Sequence, residues 1–71
     1  MRVKDITLEE FVEKYALIVT SKRTLQFGLL LATGASMKEA GNLACYGEQT
    51  FINNCVRELE KMGYIESHGT G

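Results

Sequence analysis

Apolar residues recur at helical spacing along the chain, and the recurrences divide it into four segments. In the first, Leu8, Phe11, Val12, Tyr15, Ile18 and Val19 form one stripe, with Glu9, Glu10, Glu13 and Lys14 toward the other side. That spacing predicts an amphipathic helix from Leu8 to about Val19. Thr7 followed by Glu10 is a T-x-x-E pair, which starts a helix by satisfying two backbone N–H groups reciprocally. Leu17 lies off the stripe, as peripheral packing or as part of a partner surface. Thr20 and Ser21 break this helix and offer a cap for the next. From about Lys22 to Thr33, the run LQFGLLLA is apolar nearly all round, so this helix should be the central packing element. Gly28 in its middle costs about 1 kcal/mol against alanine, which a close helix crossing would explain. Gly34 ends the segment.

The stretch from Ser36 to Gly63 reads as two helices joined by a tight turn. Ser36 with Glu39 repeats the reciprocal cap, and Met37, Ala40, Gly41, Leu43 and Ala44 gather on one side. Cys45-Tyr46-Gly47 interrupts the pattern, with Gly47 able to take a positive φ. The next helix should run from about Glu48 to Met62 and stop at Gly63. Phe51, Ile52, Cys55, Val56, Leu59 and Met62 fill one arc of it, and Gln49, Thr50, Asn53, Asn54 and Arg57 the opposite one. The expected core joins Phe11, Leu25, Leu29, Leu30, Phe51, Cys55 and Leu59. On that reading Leu30→Ala costs about 2–5 kcal/mol, as buried leucine truncations do.

The ends carry less pattern. Met1 to Ile6 reads as a short lead-in of mixed charge. Tyr64 and Ile65 could begin a strand before the glycine-rich close, as half a wing, a strand paired across a dimer, or a frayed tail. The fold class expected is all-α: one domain over residues 1–71, a small helix-turn-helix unit of about four helices with a short C-terminal extended segment or partial wing.

Composition narrows the function. A chain of 71 residues buries only about 60% of its unfolded surface. No apolar run approaches the ~20 residues of a membrane span and no signal-peptide pattern is present, so no membrane is expected and the location should be cytoplasmic. Cys45 and Cys55 stand ten apart with His68 alone near the end, which is not the paired spacing of a zinc site. Both cysteines read as reduced and buried. Neither a catalytic residue, nor a metal, nor a cofactor is expected, and the chain does not read as an enzyme.

Net charge is −1, whereas DNA-binding domains are usually basic. Between Ser36 and Gly63, Lys38, Arg57 and Lys61 face four acids, Glu39, Glu48, Glu58 and Glu60. The distribution is kinder, since Lys14 to Lys38 holds four cations (Lys14, Lys22, Arg23, Lys38) and no acid.

The order of these features resembles the helix-turn-helix regulator superfamily. LLLATGASMKEAGNLACYGEQTFINNCVRELEKMG lies without gaps on the LuxR/GerE-type pattern of a buried helix ending in glycine, S-x-K-E, a turn, then T plus an apolar residue. TLEEF and G-x-S-x-K-E-A are similar to regulators of the KorA/TrfB type and PapB-like regulators, and L-E-K-M-G-Y-I-E to the close of a MarR-type winged helix. The resemblance covers roughly Thr7 to Glu66. It implies DNA contacts at Gln49, Thr50, Asn53 and Arg57, with Asn54 beside them and Lys38 near the backbone.

The function expected is therefore sequence-specific double-stranded DNA binding by a small transcriptional regulator, a repressor, with helix 48–62 in the major groove. Asn pairs bidentately with adenine and Arg with guanine. Asn53-Asn54 in mid-helix carries a propensity cost that such a role would explain. In this scheme Asn53 and Arg57 read bases, while Lys38, Lys22 and Arg23 hold phosphates. A homodimer is expected, because one short helix reads few base pairs, with Tyr64–Ser67 as its interface. The alternative is a protein–protein interaction module of helix-turn-helix fold that docks on polymerase or another regulator.

Overall fold

The computed structural model describes residues 2–66 of the chain. Strand β1 (Arg2–Val3) leads into helix α1 (Leu8–Phe11), which continues as a π-helical segment (Val12–Ala16). Helices α2 (Lys22–Ala32), α3 (Met37–Cys45) and α4 (Gln49–Met62) come next, and strand β2 (Ile65–Glu66) closes the order. The domain is small and mostly helical, with a two-stranded sheet where an all-α fold was expected.

That sheet changes the reading of both ends. β1 pairs antiparallel with β2, Arg2 opposite Glu66 and Val3 opposite Ile65, and the Lys4 N–H donates to the Tyr64 carbonyl at 2.9 Å. The lead-in is therefore a strand, and the segment after Gly63 pairs within its own chain. Tyr64 is 0% exposed and Ile65 is 2% exposed. They cannot form the expected dimer interface, because the core already uses them. Ser67 and His68 lie outside the described residues.

Three of the four helices start as their caps dictate. Thr7 and Ser36 each accept from the backbone N–H three residues on, and Glu10 and Glu39 reach back to close the box. Ser21 caps α2 by accepting from the Thr24 N–H at 3.4 Å. The first helix nevertheless departs from its stripe. Its π-helical segment widens the turn and shifts the phase of the residues after Phe11. Phe11 and Tyr15 face inward, while Leu8, Val12 and Ile18 are exposed and Leu17 is 93% exposed. Peripheral packing for Leu17 is thereby excluded.

The core runs from the Phe11–Tyr15–Tyr64 ring cluster through Phe27 and Leu31 to Cys45, Cys55 and Leu59. Phe11 and Tyr64 meet edge to face at 4.8 Å between centroids. Of the expected core, Phe11, Cys55 and Leu59 are fully inside, whereas Leu25, Leu29, Leu30 and Phe51 are only partly buried. α2 is central as expected, but Phe27 and Leu31 are its inward residues. Leu30 lines an open groove of about 360 Å³ with Gln26, Leu29, Thr33, Leu43 and Ala44. The full cost of truncating a buried leucine belongs to Leu31 rather than Leu30. Among the described residues, no helix is long and apolar enough to cross a membrane.

Candidate nucleic-acid interface

α3 and α4 are held together by small residues and a left-handed turn. A Cβ on Gly41 would stand 2.7 Å from Cδ1 of Ile52, so the two helices approach closely there. Ala40, Ala44 and Cys45 of α3 are buried, whereas Leu43 turns outward at 68% exposure, against its expected place on the packed side. The chain reverses at Tyr46 (φ 53) and Gly47 (φ 72), so positive φ falls on a tyrosine as well as on the glycine. The Gly47 N–H donates to the Gly41 carbonyl at 3.1 Å, and the Glu48 N–H to the Cys45 carbonyl at 2.9 Å. These bonds fix the direction in which α4 leaves.

α4 then presents two faces. Cys55 and Leu59 are buried, with Phe51, Ile52, Val56 and Met62 packed against the core. Gln49, Thr50, Asn53, Asn54 and Arg57 are all exposed, as the periodicity requires, and Lys38 is exposed at the start of α3. One ordered feature lies within that arc: Gln49 Nε2 donates to Asn53 Oδ1 at 2.8 Å. The pair leaves the Gln49 oxygen, one Gln49 amide proton and both Asn53 amide protons free, which is one acceptor and three donors on adjacent turns.

Two interactions around this face have no signature in the sequence. The Arg23 guanidinium lies 3.9 Å from the centre of the Phe51 ring and 5.8 Å from that of Tyr46. Half-buried on aromatic faces, it joins α2 to the start of α4, a tie beyond the phosphate role its charge suggested. Glu58 Oε2 accepts from both the N–H and the Oγ1 hydroxyl of Thr20, each at 3.0 Å. The backbone bond, foremost, holds the Glu58 carboxyl below its ordinary range; burial opposes it, while the hydroxyls of Thr24 and Thr20 and the charge of Lys61 add to the lowering. The charge pattern counts Glu58 only as one of four acids between Ser36 and Gly63. Its two bonds instead make it the anchor of the loop between the π-helical segment and α2.

The cysteines sit behind the polar face of α4. Cys45 and Cys55 are buried free thiols with sulfurs 3.7 Å apart, and the Thr24 hydroxyl lies 3.6 Å from the Cys55 sulfur. Burial, then the bond to Cys55, pushes the Cys45 thiol up to about 11. A thiol held protonated in this way is a poor nucleophile and metal ligand. Among the described residues, no three His, Cys, Asp or Glu side chains come together to hold a metal.

No protein-family model, characterised protein or solved structure matches this chain.

Proposed function

We propose that this domain binds double-stranded DNA sequence-specifically as a small transcriptional regulator, with α4 entering the major groove. The observation that carries the reading is the exposed arc of α4. Five neighbouring side chains there, Gln49, Thr50, Asn53, Asn54 and Arg57, offer amides, a hydroxyl and a guanidinium with no acid among them. Amides match base edges bidentately, and a guanidinium matches a base edge or a phosphate. α3 crosses beside α4 after a tight turn, and its exposed Lys38 would hold the phosphate backbone. Repression follows from occupancy of a promoter by so small a domain, and no catalytic step is assigned to it. Two copies over a pseudo-palindrome would extend the sequence read, through a surface other than Tyr64 and Ile65.

The net charge of −1 weighs against tight nonspecific binding. Both Glu58 and Glu39 keep their charge, but they are turned toward Thr20 and the Ser36 N–H and do not belong to the exposed arc of α4. A second reading, a protein-interaction module, draws on the open apolar groove lined by Leu29, Leu30 and Leu43.

Retention of the protein on random duplex at low salt, released as salt rises, is the expected outcome. Selection from a random duplex pool should then converge on a common sequence. Binding that ignores salt, or no binding at all, would remove the DNA reading and leave the groove as the functional surface.

A further inference from the structure

Arg57 stands apart from Gln49, Thr50 and Asn53 on its own face. With Asn54 and Lys61 it forms one wall of a cleft of about 440 Å³, and Ile18 and Thr20 of the preceding loop contribute the other. We propose that this cleft is an anion site that takes a phosphodiester of the DNA backbone, so that Arg57 and Lys61 position the duplex and the bases are read by Gln49, Thr50 and Asn53. The inference rests on the DNA-binding reading and assigns separate work to the two halves of α4.

Placement along the helix is the first argument. A recognition helix presents its N-terminal residues to base edges, and its later turns diverge toward the backbone. Gln49, Thr50 and Asn53 lie in the opening turns, whereas Arg57 is eight residues beyond Gln49, about 12 Å along the axis. A second argument is shape. Base edges must be met by side chains that protrude into the groove, while a recess between a helix and a loop suits a compact anion.

Charge supplies the third argument. Two cations, Arg57 and Lys61, stand one turn apart against a single carboxylate, Glu58. That carboxylate keeps its charge, with its Oε2 turned to the Thr20 N–H and hydroxyl. Two cations against one acid leave the cleft net positive, and the Asn54 amide adds a neutral donor. Solvated cations in a last helical turn are ordinary, because they complement the helix dipole. That explains Lys61 alone, and leaves the shared recess with Arg57 and Asn54 unexplained.

The test is a set of titrations on a selected duplex and a random duplex at several salt concentrations. Arg57→Ala and Lys61→Ala should each weaken both duplexes by a similar factor, on the order of three- to tenfold, and make the salt slope shallower by about one. Arg57→Lys should keep more of the affinity than Arg57→Ala and keep the wild-type salt slope, since a lysine still binds a phosphate as a point charge without the bidentate fork. Glu58→Gln keeps an acceptor for Thr20, and it should tighten both duplexes. Asn53→Ala should lose affinity on the selected duplex alone. All five substitutions are checked by thermal melting, so that a fall in binding is not a fall in folding. Loss of preference by Arg57→Ala, with random-duplex affinity intact, would make it a base reader and overturn the inference while DNA binding stands. No change in either alanine variant would also overturn it. A wild-type protein that binds neither duplex would overturn the DNA reading itself, and this assignment with it.

Discussion

Gly28 of α2 meets the tip of the Phe11 ring so closely that a Cβ there would stand 2.3 Å from Cζ and 2.8 Å from Cε1. Phe11 is 0% exposed and packs on Tyr15 and Tyr64, so the ring has nowhere to retreat. The glycine that weakens α2 locally also lets α1 dock on it.

Propensity and packing therefore give opposite predictions for Gly28→Ala. Helix propensity alone would give a gain of about 1 kcal/mol. Overpacking against a fixed aromatic ring costs typically about 1–3 kcal/mol and should win, leaving a net loss in urea unfolding. Adding Phe11→Leu should recover part of that loss, giving a favourable coupling in the double-mutant cycle. A Gly28→Ala variant more stable than wild type would mean that α1 is not seated where it is described.

Tyr46 offers the reverse case, a side chain at a position suited to none. Its φ of 53 is left-handed, which costs an L-residue roughly 1–2 kcal/mol. At 77% exposure it recovers little by burial, and its ring is the more distant of the two beneath Arg23. Tyr46→Gly should raise stability by up to about 1 kcal/mol, the relief being offset by glycine's greater entropy loss. Destabilisation beyond about 1 kcal/mol would show that the ring's contact with Arg23 outweighs the strain.

How much of this was legible in the sequence depends on how local the cause is. The caps at Thr7 and Ser36, the stop at Gly63 and the polar arc of α4 are set within a few residues, and they fall where spacing predicts. The π-helical turn after Phe11 is set by packing, and it moves Val12 and Ile18 out of a stripe that looked continuous. The strand expected at Tyr64 and Ile65 is present at Ile65–Glu66, but what it packs on was not legible. The partners, Phe11 and β1, are about sixty residues away, and a two-residue strand has no periodicity to detect. At the candidate site, helical phase gave the exposed residues of α4, but the cleft beside Arg57 needed the position of the Ile18–Thr20 loop. Nothing in the spacing of Thr20 and Glu58 announces their bond.

That bond has a pH signature. Because the Thr20 N–H holds the Glu58 carboxyl below its ordinary value of 4.5, the folded protein releases this proton more readily than the unfolded chain does. The stabilisation is therefore present above about pH 4.5 and is lost as pH falls through the folded value. Glu58→Gln, which keeps an acceptor but no charge, should show a shallower acid decline in urea midpoints than wild type. Glu39, lowered by its bonds from Ser36, keeps a residual decline in both proteins. Parallel acid limbs would deny Glu58 any part in acid stability.

The alkaline side turns on Tyr64. Its ring is an essential part of the aromatic cluster, but its hydroxyl is buried and finds no partner among the described residues. A hydroxyl stranded in this way costs about 1–3 kcal/mol of desolvation, so Tyr64→Phe should be neutral or stabilising by up to about that amount, although it trims a fully buried side chain. Burial, then the field of Tyr15, raises the phenol above its ordinary value of 10.0. The folded state holds that proton more tightly than the unfolded chain. Its contribution is thus complete below about pH 10 and is lost as pH rises toward the folded value. The Cys45 thiol, raised from 9.0 to about 11, loses its own contribution from about pH 9 upward, in an overlapping window. Tyr64→Phe should therefore flatten the upper part of the alkaline limb and leave the part that begins at the thiol, which Cys45→Ala would remove. Urea unfolding of the two variants across that range separates the groups. A Tyr64→Phe protein less stable than wild type by more than about 1 kcal/mol at neutral pH would show that the hydroxyl is hydrogen-bonded in solution.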